Sequence, residues 1–117
     1  MSFRFERMKI WVEAMDLGEE INGLSYKFPD REKFNLSSQI TRAIDSVALN
    51  ISEGSIGQSD AEFSRFLGYS VRSIAEVVTC LYKARNRKYL TEDEFKVNYD
   101  RCFSLLNMII AFRKNLK

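Results

Sequence analysis

Apolar residues recur along this chain at helical rather than strand spacing. Over 6–28 they fall at Ile10, Trp11, Ala14, Leu17, Ile21, Leu24 and Phe28, the pattern of a helix with one buried face. Pro29 is expected to end that helix, because a proline pushes the residue before it out of the α region. The polar stretch PDREKFN then leads to a second helix over about 37–54, with Asn35 or Ser37 as its cap and Ile40, Ile44, Val47 and Ile51 as its seam. Gly54 reads as its stop. Ser59 and Glu62 form a Ser-x-x-Glu capping box that opens a third helix near Asp60. This helix runs to about Lys88, with Phe63, Phe66, Leu67, Ser70, Ile74, Val77, Val78 and Leu81 inward. Thr91 and Glu94 form a second box, and the fourth helix turns Phe95, Tyr99, Cys102, Leu106, Ile109 and Ile110 inward. No run alternates with period two. Four helices with short connections predict an all-α fold, an antiparallel up-down-up-down four-helix bundle, with residues 1–117 as a single domain.

Some residues lie outside these seams. On helix two, Gln39, Arg42, Ser46, Asn50 and Glu53 occupy the arc beside the apolar one, and Leu49 projects nearly opposite the core. On helix three the corresponding arc holds Arg65, Tyr69, Ser73, Glu76 and Lys83, with Arg72 a little beyond. Its other flank is small: Ala61, Ser64, Gly68, Ala75 and Thr79. On helix four, Val97, Met108, Ala111 and Phe112 widen the apolar arc past what a bundle needs. Two uses are open to the polar arc. Arg42, Ser46, Asn50, Glu53, Ser73 and Glu76 can pair where helices two and three meet and fix their register, or the same groups can hold a ligand. The surplus apolar and small positions, Leu49, Gly68, Ala75, Val97, Met108 and Phe112, point to a homo-oligomer interface, against the alternative of ordinary scattered surface residues.

Composition narrows the chemistry. One proline and five glycines are too few for a turn-dense β-sandwich. The chain has no histidine, and its two cysteines, Cys80 and Cys102, lack metal-ligand spacing, so neither a metal nor another cofactor is expected and both thiols read as small buried hydrophobes. A serine and a glutamate without a base partner make a poor catalytic set, and the expectation is a protein that is not an enzyme. No segment reaches the roughly 18–20 apolar residues that span a bilayer, and the start MSFRFERMKIW has no signal-type apolar region, so a cytoplasmic location without membrane contact is expected. Net charge is only +2, which by itself selects no partner. The basic excess is local: residues 60–90 hold six basic and three acidic groups. Arg65, Arg72, Lys83, Arg85, Arg87 and Lys88 are therefore the positions from which phosphate contacts would come, while cations at a helix end that oppose its dipole are the plainer explanation for the last four.

These blocks also resemble a known family. Trp11, then FPDREKFNLSSQITRA and SVALNISEG, then FSRFLGYSVRSIAEVVTCL with Ser73 and Glu76, resemble the four-helix-bundle proteins encoded in intervening sequences of bacterial 23S rRNA genes. Arg72 departs from the pattern, standing where a glycine usually precedes the serine, which would alter packing or place a charge at a contact. The family is similar in fold to the accessory variability proteins of diversity-generating retroelements. That resemblance implies a pentameric ring with RNA or DNA, and a protein such as a reverse transcriptase, as partners. A protein-interaction module that binds no nucleic acid is the alternative.

Overall fold

The computed structural model describes residues 1–116. Four helices, α1 (Lys9–Ser25), α2 (Leu36–Ser55), α3 (Asp60–Asn86) and α4 (Glu92–Lys114), pack as an all-α four-helix bundle. Two short 3-10 turns, Arg4–Arg7 and Asp30–Glu32, precede α1 and α2. The molecule measures 43 × 24 × 23 Å, with its long axis matching the length of α3. α2 packs on α1 and α3, and α4 packs on α3 and more lightly on α1, which leaves α1 and α3 on one diagonal and α2 and α4 on the other.

The core is one cluster fed by all four helices: Ile10, Leu17 and Ile21 from α1, Ile40, Ile44 and Ile51 from α2, Phe63, Leu67 and Leu81 from α3, and Cys102, Leu105 and Ile109 from α4. Cross-helix contacts run in opposite order along α2 and α3. Val47 accepts a bond from Ser70, whereas Gly54, seven residues on, faces Phe63 and Phe66.

The expected boundaries shift where local packing overrides periodicity. α1 begins at Lys9 rather than residue 6, because Met8 is extended (φ −83°, ψ 125°) and the preceding turn folds Phe5 onto Trp11 at 5.1 Å between ring centroids. α1 also ends at Ser25, before Pro29, and Phe28 turns in to meet Tyr89. Asn35 precedes α2 but gives it no side-chain cap; the Glu32 carboxylate instead accepts from the Leu36 amide at 3.4 Å.

The capping signals differ in outcome. Thr91 and Glu94 make both bonds of the capping box. Ser59 accepts from the Glu62 amide, but the Glu62 carboxylate takes the Gln58 amide instead, so that box is half made. Gly54 does not stop α2, which continues through it to Ser55, and its backbone is not left-handed. Its role is a close approach: a Cβ there would lie 2.6 Å from the Phe66 Cβ. On α4 the buried arc is rotated from the expected one, with Asn98 and Leu105 inside and Ile110 37% exposed.

Candidate nucleic-acid interface

α3 presents its cations on the face away from the core. Steps of 100° place Arg65, Tyr69, Arg72, Glu76 and Lys83 on one solvent-facing stripe, about 27 Å from end to end at 1.5 Å per residue, and all five are exposed. Arg65 reaches Glu62 at 3.8 Å and lies over the Phe66 ring. Arg72 and Lys83 make no ion pair among the described residues. Arg72 is exposed to solvent.

Of the remaining cations, Arg85 and Arg87 are held by partners and Lys88 is not paired among the described residues. Arg85 stacks over Phe95 at 4.3 Å and Tyr82 at 4.9 Å, with Glu92 at 3.9 Å. Arg87 donates to Glu32 at 3.0 Å. Lys88 is exposed and sits at φ 65°, where α3 ends in a Schellman turn: the Tyr89 amide bonds to the Ala84 carbonyl and the Lys88 amide to that of Arg85, both at 2.9 Å. The six expected positions thus separate into an open stripe, Arg65, Arg72 and Lys83, and a helix end in which Arg85 and Arg87 are engaged and Lys88 stands free of ion pairs among the described residues.

Glu32 is the polar centre that periodicity did not reveal. It is 5% exposed. Tyr89 donates to its Oε2 at 2.7 Å beside Arg87, Asn35 donates to its Oε1, and Arg31 in turn donates to the Tyr89 hydroxyl. The Tyr89 bond, with the Leu36 amide and Arg87, holds the Glu32 carboxyl below the usual carboxylate range against the opposing effect of burial. The signal in the sequence was weak, since a single Glu in a polar connection looks like solvated loop.

The polar arc between α2 and α3 is smaller than expected. Ser46 donates to Ser73 across the helices, and Ser70, fully buried, donates to the Val47 carbonyl at 2.9 Å. Asn50 turns back to the Ser46 carbonyl and Arg42 to that of Ser38, both within α2. Glu53 and Glu76 are exposed and join no cross-helix bond among the described residues. Both are long chains on the outer edge of the arc, where water competes for them.

The surplus apolar positions also divide. Leu49 and Val97 are 55% and 48% exposed. Gly68 is covered by Arg113, which is anchored to Ser64 at 2.9 Å, and Phe112 packs edge-on against Phe63 within the chain. Met108 is half-buried against the core. Ala75 lines an apolar groove of about 370 Å³ between α3 and α4, with Val71, Val78, Tyr99, Phe103 and Leu106. A second groove, of about 430 Å³, lies between α1 and α2 and includes Trp11, Met15 and Leu49.

Both thiols are buried, and burial pushes Cys102 up to about 12, so it carries no thiolate at neutral pH. Among the described residues no three metal-type side chains converge. None of these helices is long and apolar enough to cross a membrane.

With this geometry in hand, a family model described as "23S rRNA-intervening sequence protein" matches residues 6–111. The chain belongs to that family. The fold of this family member is similar to a crystal structure from Bacteroides thetaiotaomicron described as a protein with unknown function from the S23 ribosomal protein family. The two share 20% identity at a TM-score of 0.84, over 91% of this chain and 99% of the other, a likeness that shows the fold alone. No curated protein matches the sequence.

Proposed function

We propose that this member of the 23S rRNA-intervening sequence family is a non-catalytic, cytoplasmic scaffold that self-associates and binds nucleic acid along the outward face of α3. The observation that carries the reading is the exposed stripe of Arg65, Arg72 and Lys83, opposed on that face by Glu76 and, beside Arg65, by Glu62. Three cations at helical spacing on a rigid element can follow a phosphate backbone, and repeated copies in an assembly add their weak fields. Self-association, in pentamers as the family resemblance implies, would draw on exposed Val97 and on the groove beside Ala75.

An electrophoretic shift with structured RNA at low salt is the expected result, weakening steeply as salt rises. Arg72→Glu with Lys83→Glu should lower affinity about tenfold and reduce the salt slope by about two. No shift at low salt by the assembled protein overturns the nucleic-acid reading. Light scattering tests assembly, since a clean monomer of 13.7 kDa at micromolar concentration removes the ring.

A second reading, a protein-interaction module without nucleic acid, is favoured by the α3–α4 groove, whose lining between Val71 and Leu106 carries no charged side chain. Binding that is indifferent to salt and to the Arg72 and Lys83 changes would select it.

A further inference from the structure

The half of the bundle opposite the α3 stripe has its own surface chemistry. α1 and α2 carry Lys9 and Arg42 as their basic side chains against the carboxylates of Glu13, Asp16, Glu19, Glu20, Asp45 and Glu53. None of those carboxylates forms an ion pair among the described residues. Two of them, Glu19 and Asp45, stand at the rim of the α1–α2 groove, one from each helix. The same groove is lined by Trp11, Met15, Ala48 and Leu49, and Met15 and Leu49 are 43% and 55% exposed. The arginines of the first turn do not neutralise this rim: Arg4 lies over the Phe63 ring at 5.4 Å and Arg7 donates to Ser2.

A mainly apolar groove with an exposed carboxylate from each helix restricts what can cover it. A purely apolar partner would strand the rim carboxylates away from water, and a phosphate backbone would be repelled. A helix with apolar anchors flanked by Lys or Arg satisfies both parts, and a groove between two helices is the shape into which such a helix lies. The flexible Met15 and Leu49 side chains can repack around an anchor. A second copy of this chain is a poorer match, because its basic face on α3 has Tyr69 and Glu76 between the cations and no aliphatic anchor. We propose that the α1–α2 groove docks a basic amphipathic helix of a different polypeptide. The proposal goes beyond the α3 reading and does not depend on it.

Trp11 is the one tryptophan of the chain and lines the groove, so its emission reports occupancy. The probe is a synthetic amphipathic helical peptide of leucine and lysine, with a leucine–glutamate peptide of the same pattern as control. The lysine peptide is expected to shift Trp11 emission at one peptide per chain. Glu19→Lys with Asp45→Lys, and separately Leu49→Asp, should each weaken binding about tenfold, while Arg72→Glu with Lys83→Glu should leave it unchanged. The substituted positions in the groove are exposed, and thermal melts by circular dichroism establish that each variant keeps its fold. No emission change, an equal response to the glutamate peptide, or undiminished binding by the Glu19→Lys, Asp45→Lys variant overturns the proposal. It is also overturned if Leu49→Asp reduces the assembly mass while the peptide leaves Trp11 unaffected, because a second copy then covers the groove.

Discussion

α3 packs against α2 on one side and α4 on the other, and the two seams are built differently. Towards α2, Gly54 lets the backbones close in over Phe63 and Phe66, Ser70 bonds to Val47, Ser46 bonds to Ser73, and Val47, Ile51 and Leu67 are fully buried. Towards α4, Val71, Val78, Tyr99 and Leu106 are only partly buried along an open groove, and Phe103 is 48% exposed. Asn98 on α4, buried at 1% exposure, donates to the Glu94 carbonyl and leaves its Oδ1 without a partner among the described residues. Small polar side chains tighten a helix contact when each hydroxyl finds an acceptor on the neighbour. Long aromatics hold helices apart, and a buried amide with one satisfied end costs stability.

The sharpest test of that contrast is truncation on each seam. Leu67→Ala should lower unfolding stability by about 3 kcal/mol and Leu106→Ala by about 1 kcal/mol, measured by denaturant titration. Equal losses would mean that the α4 seam is as well packed as the other. Glycine replacement comes next. Gly54→Ala should cost about 2 kcal/mol through its clash with Phe66. Gly18→Ala on α1, where an added Cβ meets no heavy atom within 4 Å, should gain about 0.5–1 kcal/mol from helix propensity. If both alanines behave alike, close approach is not what Gly54 serves.

Asn98→Leu is expected to raise stability by about 1 kcal/mol by removing the unpartnered oxygen. A loss would show that the oxygen has a partner in solution. The smallest effect at neutral pH belongs to the carboxylates. Glu32 and Glu94 both have folded pKa values below the ordinary carboxylate range, Glu32 first through Tyr89 and Glu94 first through Lys27. Their contribution is therefore present above about pH 4.3, the unfolded value, and is lost as pH falls through the folded values. Melting temperatures taken from neutral pH downward should fall in that window, and Glu32→Gln should flatten the fall.

How far the sequence discloses the molecule depends on how far apart the cooperating residues lie. The helices and the Thr91–Glu94 box were legible because their signals repeat or close within a few residues. Gly54 has the local look of a helix stop, but its reason lies in Phe66 on the next helix. On α4, where the moment is diluted by apolar residues on several faces, Leu105 and Ile110 exchanged places. The same limit applied to the cations. Helical angles put Arg65, Arg72 and Lys83 on the outside, but Arg87 is committed to Glu32, 55 positions away, which no local pattern announces.

The Glu32 centre has a consequence for the order of folding. α1 with α2, and α3 with α4, are hairpins that can form from near neighbours in sequence, whereas Glu32 joins the connection of the first hairpin to Arg87 and Tyr89 in the connection of the second. Its bonds to Arg87 and Tyr89 can form only after the start of α2 and the end of α3 have met, so they are expected late in assembly and early in opening. Loss of the Glu32 carboxylate should then speed unfolding modestly and leave the folding rate nearly unchanged, the behaviour of a clasp that closes after the bundle has formed.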